Sequence, residues 1–185
     1  MDGSRGRAAL LAPGGGYGTD GPLLMFAGVA AKQRRASLLR VGWGPLNGGL
    51  SEDDLYDRVE ATVAAALDGL GPGVTPVIMG KSLGTVSAAV AADRAVPAVW
   101  FTPLLAGPRV VAALRRATAP FLLVGGTDDD WWDGDAARSV TSRVVEIHGA
   151  GHNMFVPGPL KESAAVLGQV STAVERFLDE VVWPA

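Results

Sequence analysis

Short apolar runs alternate with longer amphipathic segments along the whole chain. The run at residues 121–124, Phe-Leu-Leu-Val, is continuously apolar, which is typical of strands covered on both faces of a parallel sheet. Gly and Pro residues mark the ends of most of these runs. The pattern predicts strands at residues 7–12, 37–42, 75–80, 96–102, 120–125 and 143–148.

The segments between these runs have the spacing of amphipathic helices. Leu55, Val59 and Val63 recur every four residues, so they share one helix face. Ser51 precedes three acidic residues, the pattern of an N-cap followed by a negatively charged first turn. A helix is therefore predicted between Ser51 and Gly69. Further helices are predicted at residues 22–32, 83–93, 108–117, 135–140 and from 159 to about 182.

Six strand–helix units in series predict an α/β fold with a doubly wound, mostly parallel six-stranded sheet and helices on both faces. The length of 185 residues favours a single domain over residues 1–185. The stretch between Thr102 and Pro120 has room for one helix, so no lid domain is expected. Ligands of such sheets bind at the carboxyl ends of the strands, which directs attention to the loops that follow them.

Composition narrows the range of functions. The formal net charge of −3 argues against a nucleic-acid partner, and 48% hydrophobic residues exclude a disordered chain. The absence of Cys excludes disulfides, thiolate metal sites and cysteine nucleophiles. With no apolar stretch long enough to span a bilayer and no signal-peptide pattern, the expectation is a cytoplasmic protein without a membrane partner.

A G-x-S-x-G motif from Gly80 to Gly84 lies between a predicted strand and a predicted helix. This is the pattern of a nucleophile elbow, in which Ser82 is held in a strained backbone conformation on a tight turn. The same segment resembles the end of a phosphate-binding loop. Thr75 stands where that motif needs its first Gly, which disfavours the alternative.

A glycine-rich loop follows the first predicted strand. Residues 16–21 match the dinucleotide pattern G-x-G-x-x-G, but no Asp or Glu lies between Asp20 and Glu52 to bind a ribose. The preceding residues, Pro13 to Gly16, offer backbone N–H groups that side chains do not shield. Such a loop can approach an oxyanion closely, and this interpretation is favoured.

An acid and a base follow the last two strands. Asp128, Asp129 and Asp130 come after the fifth strand, and any of them can orient an imidazole. His152 lies in a loop after the sixth strand, whereas the alternative base, His148, lies at the strand end. Nucleophile, acid and base thus follow one another in the order of the α/β-hydrolases, which differs from the orders of chymotrypsin and subtilisin.

With these motifs, nearly the whole chain resembles the small capless α/β-hydrolases, in particular their dienelactone-hydrolase-like and compact serine esterase branches. The resemblance implies that Ser82 is the nucleophile and His152 the base. It implies Asp129 as the acid, because family loops often have the sequence Gly-Thr-x-Asp. Gly15 and Leu83 would then contribute the N–H groups of an oxyanion hole.

The chain departs from the family at three points. The usual first antiparallel strands are missing, and Pro13 stands where many members have His. Dienelactone hydrolases proper use Cys where this chain has Ser82, so their substrate cannot be carried over.

The expected function is hydrolysis of a small acyl compound through an acyl-enzyme on Ser82, without a metal or cofactor. Aromatic residues in loops after strands are expected to contact the small-molecule substrate: Tyr17, Trp43 and Trp131. The alternatives are a hydrolase-fold binding or scaffold protein without turnover and, less favoured, a nucleotide-binding module. A homodimer is left open.

Overall fold

The sheet has six parallel strands in a computed structural model that describes residues 6–46 and 49–184. Their order across the sheet is β2-β1-β3-β4-β5-β6. The second strand is therefore added on one side of β1, and all later strands are added on the other side. The predicted parallel α/β sheet is confirmed. The strands are β1 (Arg7–Ala12), β2 (Ala36–Arg40), β3 (Thr75–Lys81), β4 (Ala98–Phe101), β5 (Phe121–Gly126) and β6 (Val144–Ile147).

Continuous apolar sequence corresponds to burial on both faces of the central strands. In the middle of β1, Leu10 is opposite Leu39 on one neighbouring strand and Ile78 on the other. Leu10 and Leu11 point to opposite faces, and both are buried. The apolar run therefore contributes to two separate cores at once.

Helices cover both faces of the sheet. One core packs under α1 and α6, and the other packs under α2, α3 and α4, with Ala137 of α5 at its edge. The expected arrangement of helices on both faces is thereby confirmed. The helices are α1 (Pro22–Gln33), α2 (Glu52–Asp68), α3 (Ala88–Asp93), α4 (Pro108–Arg116), α5 (Gly134–Val140) and α6 (Leu160–Phe177).

Two helical segments differ from the sequence prediction. The segment after β3 begins as a 3-10 helix, Ser82–Ser87, and becomes α-helical only at α3. The hydroxyls of Thr85 and Ser87 donate to carbonyls three residues earlier, each at 2.6 Å, which favours the tighter turn. After α6 the chain continues as a π-helical turn, Leu178–Val182, instead of one helix from residue 159 to about 182.

The π-helical turn directs Trp183 back under the sheet. Its indole N–H donates to the carbonyl oxygen of Thr75 at 3.2 Å, and the guanidinium of Arg7 lies 5.8 Å from the ring centroid. The end of the described chain is thus attached to the start of β1 and β3, at the edge of the sheet opposite the candidate site.

Within the described residues, α4 is the only regular element between β4 and β5, as expected for a chain without a lid. In the same part of the chain, no helix combines the length and apolar character that crossing a membrane requires.

Replacing Phe177 with Ala should lower the free energy of unfolding by about 3–5 kcal/mol, because a buried aromatic ring is lost from the core under α1 and α6. Urea denaturation followed by circular dichroism measures this loss. Gln169→Ala, at an exposed position of the same helix, serves as the control and should change stability by less than about 0.5 kcal/mol. Equal effects of the two substitutions would contradict the packing described.

Candidate active site

Ser82, His152 and Asp129 meet at the carboxyl edge of the sheet. Nε2 of His152 lies 2.8 Å from Oγ of Ser82, and Nδ1 lies 2.9 Å from both carboxylate oxygens of Asp129. These residues follow β3, β6 and β5, so 70 residues of sequence separate the serine and histidine that the parallel sheet brings together. Side chains in this arrangement can serve as a nucleophile, a base and an orienting acid.

Ser82 lies on a strained turn. Its φ of +51° is in the left-handed region, which L-residues rarely adopt. A Cβ atom at Gly80 would lie 2.7 Å from the ring of Trp100, and one at Gly84 would lie 2.2 Å from the carbonyl oxygen of Ala12. Both glycines are therefore required for the turn, which projects the hydroxyl of Ser82 away from the strand.

Among the three consecutive aspartates, Asp129 contacts the histidine. Its side chain is 1% exposed and also accepts a hydrogen bond from the backbone N–H of Trp131 at 3.0 Å. Asp128 and Asp130 are exposed. Of the three aspartates that the sequence left open, burial and hydrogen bonding thus leave Asp129 as the partner of His152.

The loop after β6 carries His152 to the serine. Gly149 has a φ of +71°, and the N–H of Gly151 donates to the carbonyl of Phe155 at 3.0 Å, which closes a tight turn around the histidine. His148 is exposed, and its Nδ1 lies 3.5 Å from Oγ1 of Thr127. The structure therefore brings His152, and not His148, to Ser82.

The glycine-rich loop after β1 forms the opposite side of the site. The N–H of Gly14 donates to the carbonyl of Tyr17 at 2.9 Å, which folds the loop back on itself and leaves Gly15 exposed. Leu83 lies in the first turn of the 3-10 helix, where backbone N–H groups have no acceptor within the helix. Gly15 and Leu83 border the same cleft as Ser82.

Solved structures share this arrangement of strands and helices. A serine hydrolase without a lid from Xanthomonas campestris is 17% identical, with a TM-score of 0.67 over 92% of this chain and 82% of that one. An α/β serine hydrolase homologue from Coxiella burnetii is also 17% identical, with a TM-score of 0.69 over 95% and 86%. The esterase Pf2001 from Pyrococcus furiosus is 12% identical, with a TM-score of 0.69 over 98% and 85%.

The chain has an α/β-hydrolase fold. No family model and no curated protein sequence matches it. At these identities the likeness extends to the fold and not to the roles of individual residues.

The cleft in front of Ser82 has a volume of about 550 Å³ and is open to solvent. Trp131, one of the aromatic residues expected to contact substrate, lines it and is 46% exposed. Tyr56 and Glu52 of α2 also line the cleft, and no sequence motif marks either of them as a site residue. Burial, together with a hydrogen bond to Glu52, raises the pKa of Tyr56 to about 12, so its phenol stays neutral at physiological pH.

The other two expected aromatic contacts have different surroundings. Trp43 is buried, and its indole N–H donates to the carbonyl of Pro13 at 3.1 Å, so it supports the glycine-rich loop from behind. Tyr17 accepts a hydrogen bond from the N–H of Leu23 at 2.8 Å through its phenol oxygen, which caps the start of α1. Neither residue is among those that border the cleft at Ser82. For Trp43, sequence position after a strand could not distinguish lining this cleft from supporting a loop. Tyr17 lines a second pocket, which lies beside the loop that follows His152.

Lys81 precedes the serine and is buried, with 2% of its surface exposed. Its ammonium lies 4.8 Å from the ring centroid of Tyr17, within range of a cation–π interaction. Burial lowers the pKa of Lys81 to about 8, and the negative charge of Asp129 opposes this shift. In the sequence, Lys81 belongs to the G-x-S-x-G motif and to the disfavoured phosphate-binding pattern, and neither indicates its burial. A charged residue at the end of an apolar strand is the signal of a special environment.

The buried Lys81 should make stability depend on pH. Unfolding restores a pKa of 10.5, so between pH 8 and 10.5 the unfolded chain binds more protons at this position than the folded one. The free energy of unfolding of the wild type should therefore rise relative to that of Lys81→Met as pH increases through this range. Urea denaturation of both proteins at pH 7, 8, 9 and 10 measures the difference.

Lys161→Met is the matched control, because the side chain of Lys161 is 79% exposed. Its difference from the wild type should not change with pH between 7 and 10. A constant difference for Lys81→Met as well would contradict a lowered pKa at this position.

Proposed function

We propose that the chain is a serine hydrolase that cleaves a small carboxylic ester through an acyl-enzyme on Ser82. The observation that carries this proposal is the continuous line of hydrogen bonds from Asp129 through His152 to Ser82, which ends at an open cleft. The hydrolases and the esterase among the structures of the same fold support it.

The first half-reaction forms the acyl-enzyme. Nε2 of His152 takes the proton of Ser82 as Oγ attacks the carbonyl carbon of the ester, and the carbonyl oxygen becomes an oxyanion. The N–H groups of Gly15 and Leu83 stabilise that charge. The oxyanion then collapses, the bond to the alcohol oxygen breaks, and His152 donates its proton to the departing alkoxide.

The second half-reaction regenerates the serine. His152 removes a proton from water, whose oxygen attacks the acyl carbon, and the bond to Oγ of Ser82 breaks as the histidine returns the proton to it. The products are one carboxylic acid and one alcohol. Asp129 keeps a single tautomer of His152 and stabilises the imidazolium that forms in both halves, which its buried carboxylate suits.

Labelling with a fluorophosphonate tests the proposal directly. The reagent should modify Ser82 of the folded wild type, as identified by mass spectrometry of the labelled peptide. Ser82→Ala should not be labelled, whereas Ser139→Ala, which removes a serine of the remote helix α5, should be labelled as the wild type is. Absence of labelling in the folded wild type would favour a hydrolase-fold binding protein without turnover.

Asp129→Asn should reduce kcat by roughly 10⁴, because an amide cannot stabilise the imidazolium and favours the wrong tautomer of His152. Asp128→Asn and Asp130→Asn are the matched controls, since both side chains are exposed on the same turn. They should retain kcat within about threefold. Steady-state hydrolysis of p-nitrophenyl acetate measures all three. A large loss of kcat in either control would contradict the assignment of Asp129 as the acid.

Acyl chain length should affect the rate because the cleft is open and no lid covers it in the described part of the chain. We expect kcat/KM to be highest for acetyl and butyryl esters and to fall toward twelve carbons, because a long chain leaves the cleft and stays in water. p-Nitrophenyl esters with acyl chains of two to twelve carbons provide the measurement. A maximum at the long end would contradict an open acyl site.

A further inference from the structure

A second concavity lies beside the histidine loop. It is an apolar pocket of about 270 Å³ between the start of α1, the loop that follows His152 and the start of α6, here called the α1–α6 pocket. An apolar cavity of roughly 150 Å³ takes up benzene, so this pocket has room for an aromatic ring with a short linker. Its walls include Tyr17, Leu23, Phe155, Leu160, Ala164 and Leu167.

Large apolar side chains at the α1–α6 pocket are exposed to solvent. Phe155 is 56% exposed and Leu160 is 73% exposed, although both are large and apolar. Because both side chains also line the pocket, an apolar ligand bound there would remove part of their surface from water.

The pocket adjoins the candidate active site. Asn153, which lines it, directly follows His152. On the other side, a Cβ atom at Gly14 would lie 3.2 Å from Cβ of Tyr17 and 3.4 Å from Cβ of Ser82. Gly14 therefore lies against both a residue of the pocket wall and the nucleophile, together with the side chain of Lys81, whose Cδ would lie 3.3 Å from the same Cβ atom.

Protonation of the leaving group determines on which side of Ser82 the alcohol part of the ester lies. The alcohol oxygen must face Nε2 of His152, because it receives its proton there. The oxyanion faces Gly15 and Leu83, which border the same cleft as Ser82. The alcohol part of an ester thus leaves the reaction centre on the side of His152, where the α1–α6 pocket lies, while the acyl part occupies the cleft that Trp131 lines.

We infer that the α1–α6 pocket binds the alcohol part of the substrate, and that this alcohol is apolar and about the size of a benzyl group. The inference rests on the proposed ester hydrolysis and adds a substrate class to it: esters of a short acid with an aromatic or cyclic alcohol. The two concavities then take the two halves of one substrate, with Ser82 between them.

Steady-state kinetics with three acetates tests this assignment. Wild type should have a kcat/KM for benzyl acetate about tenfold to hundredfold above that for ethyl acetate, as expected when an aromatic ring is removed from water. Acetylcholine, whose alcohol is similar in size but cationic, should show no such gain. Equal kcat/KM values for benzyl and ethyl acetate would overturn the inference.

Two alanine-to-phenylalanine substitutions on α6 form a matched pair, of which one fills the pocket and the other does not. Ala164 lines it, whereas the next residue, Ala165, is also exposed on α6 and is not among the lining residues. Ala164→Phe should reduce the ratio of kcat/KM for benzyl acetate over ethyl acetate to within threefold of one, and Ala165→Phe should keep the wild-type ratio. An unchanged ratio in Ala164→Phe would overturn the assignment.

Binding of benzyl alcohol to Ser82→Ala, followed by NMR of ¹⁵N-labelled protein, separates this inference from the proposed function. Shifts at Phe155, Leu160 and Leu167 that are lost in the Ser82→Ala/Ala164→Phe double variant would support the pocket as its site. Shifts elsewhere, or none, would overturn it. Such binding without Ser82-dependent turnover in the wild type would overturn the ester hydrolysis and leave an apolar ligand site.

Discussion

The close approach of β1 to the turn after β3 is the constraint on which the site depends. The missing side chain of Gly84 lets the turn pass against the carbonyl of Ala12, and the missing side chain of Gly80 leaves room for Trp100. Any larger residue at either position would push the turn outward. With glycine at both positions, the packed surroundings hold Ser82 in its left-handed conformation. Its side chain therefore projects from the carboxyl edge of the sheet.

A second close approach aligns the acid and the base. A Cβ atom at Gly126 would lie 2.1 Å from the carbonyl oxygen of Ala150, so the loops after β5 and β6 contact each other through their backbones. This contact brings the carboxylate of Asp129 to Nδ1 of His152. These two close approaches therefore position the three side chains, and each joins neighbouring strands of the sheet, β1 with β3 and β5 with β6.

The surroundings of the proposed nucleophile differ on its two sides. Toward α2, the cleft combines the indole of Trp131 with the neutral phenol of Tyr56 and the carboxylate of Glu52. Toward α1 and α6, the walls are almost entirely apolar, and the buried Lys81 lies against the ring of Tyr17. A substrate with two chemically different halves suits this asymmetry.

Sequence alone determined the elements, the parallel sheet and the order of Ser82 and His152 along the chain. Continuous apolar runs and helical spacing are local properties, so strands such as β1 were predicted to the residue. Tertiary structure brings Asp129, and not its two neighbours, to His152, and it places Trp43 behind the glycine-rich loop and not at the cleft that Ser82 borders. The physical reason is that burial and hydrogen-bond partners come from segments distant in sequence: the same aspartate or tryptophan faces solvent, a core or a cleft according to the element packed against it.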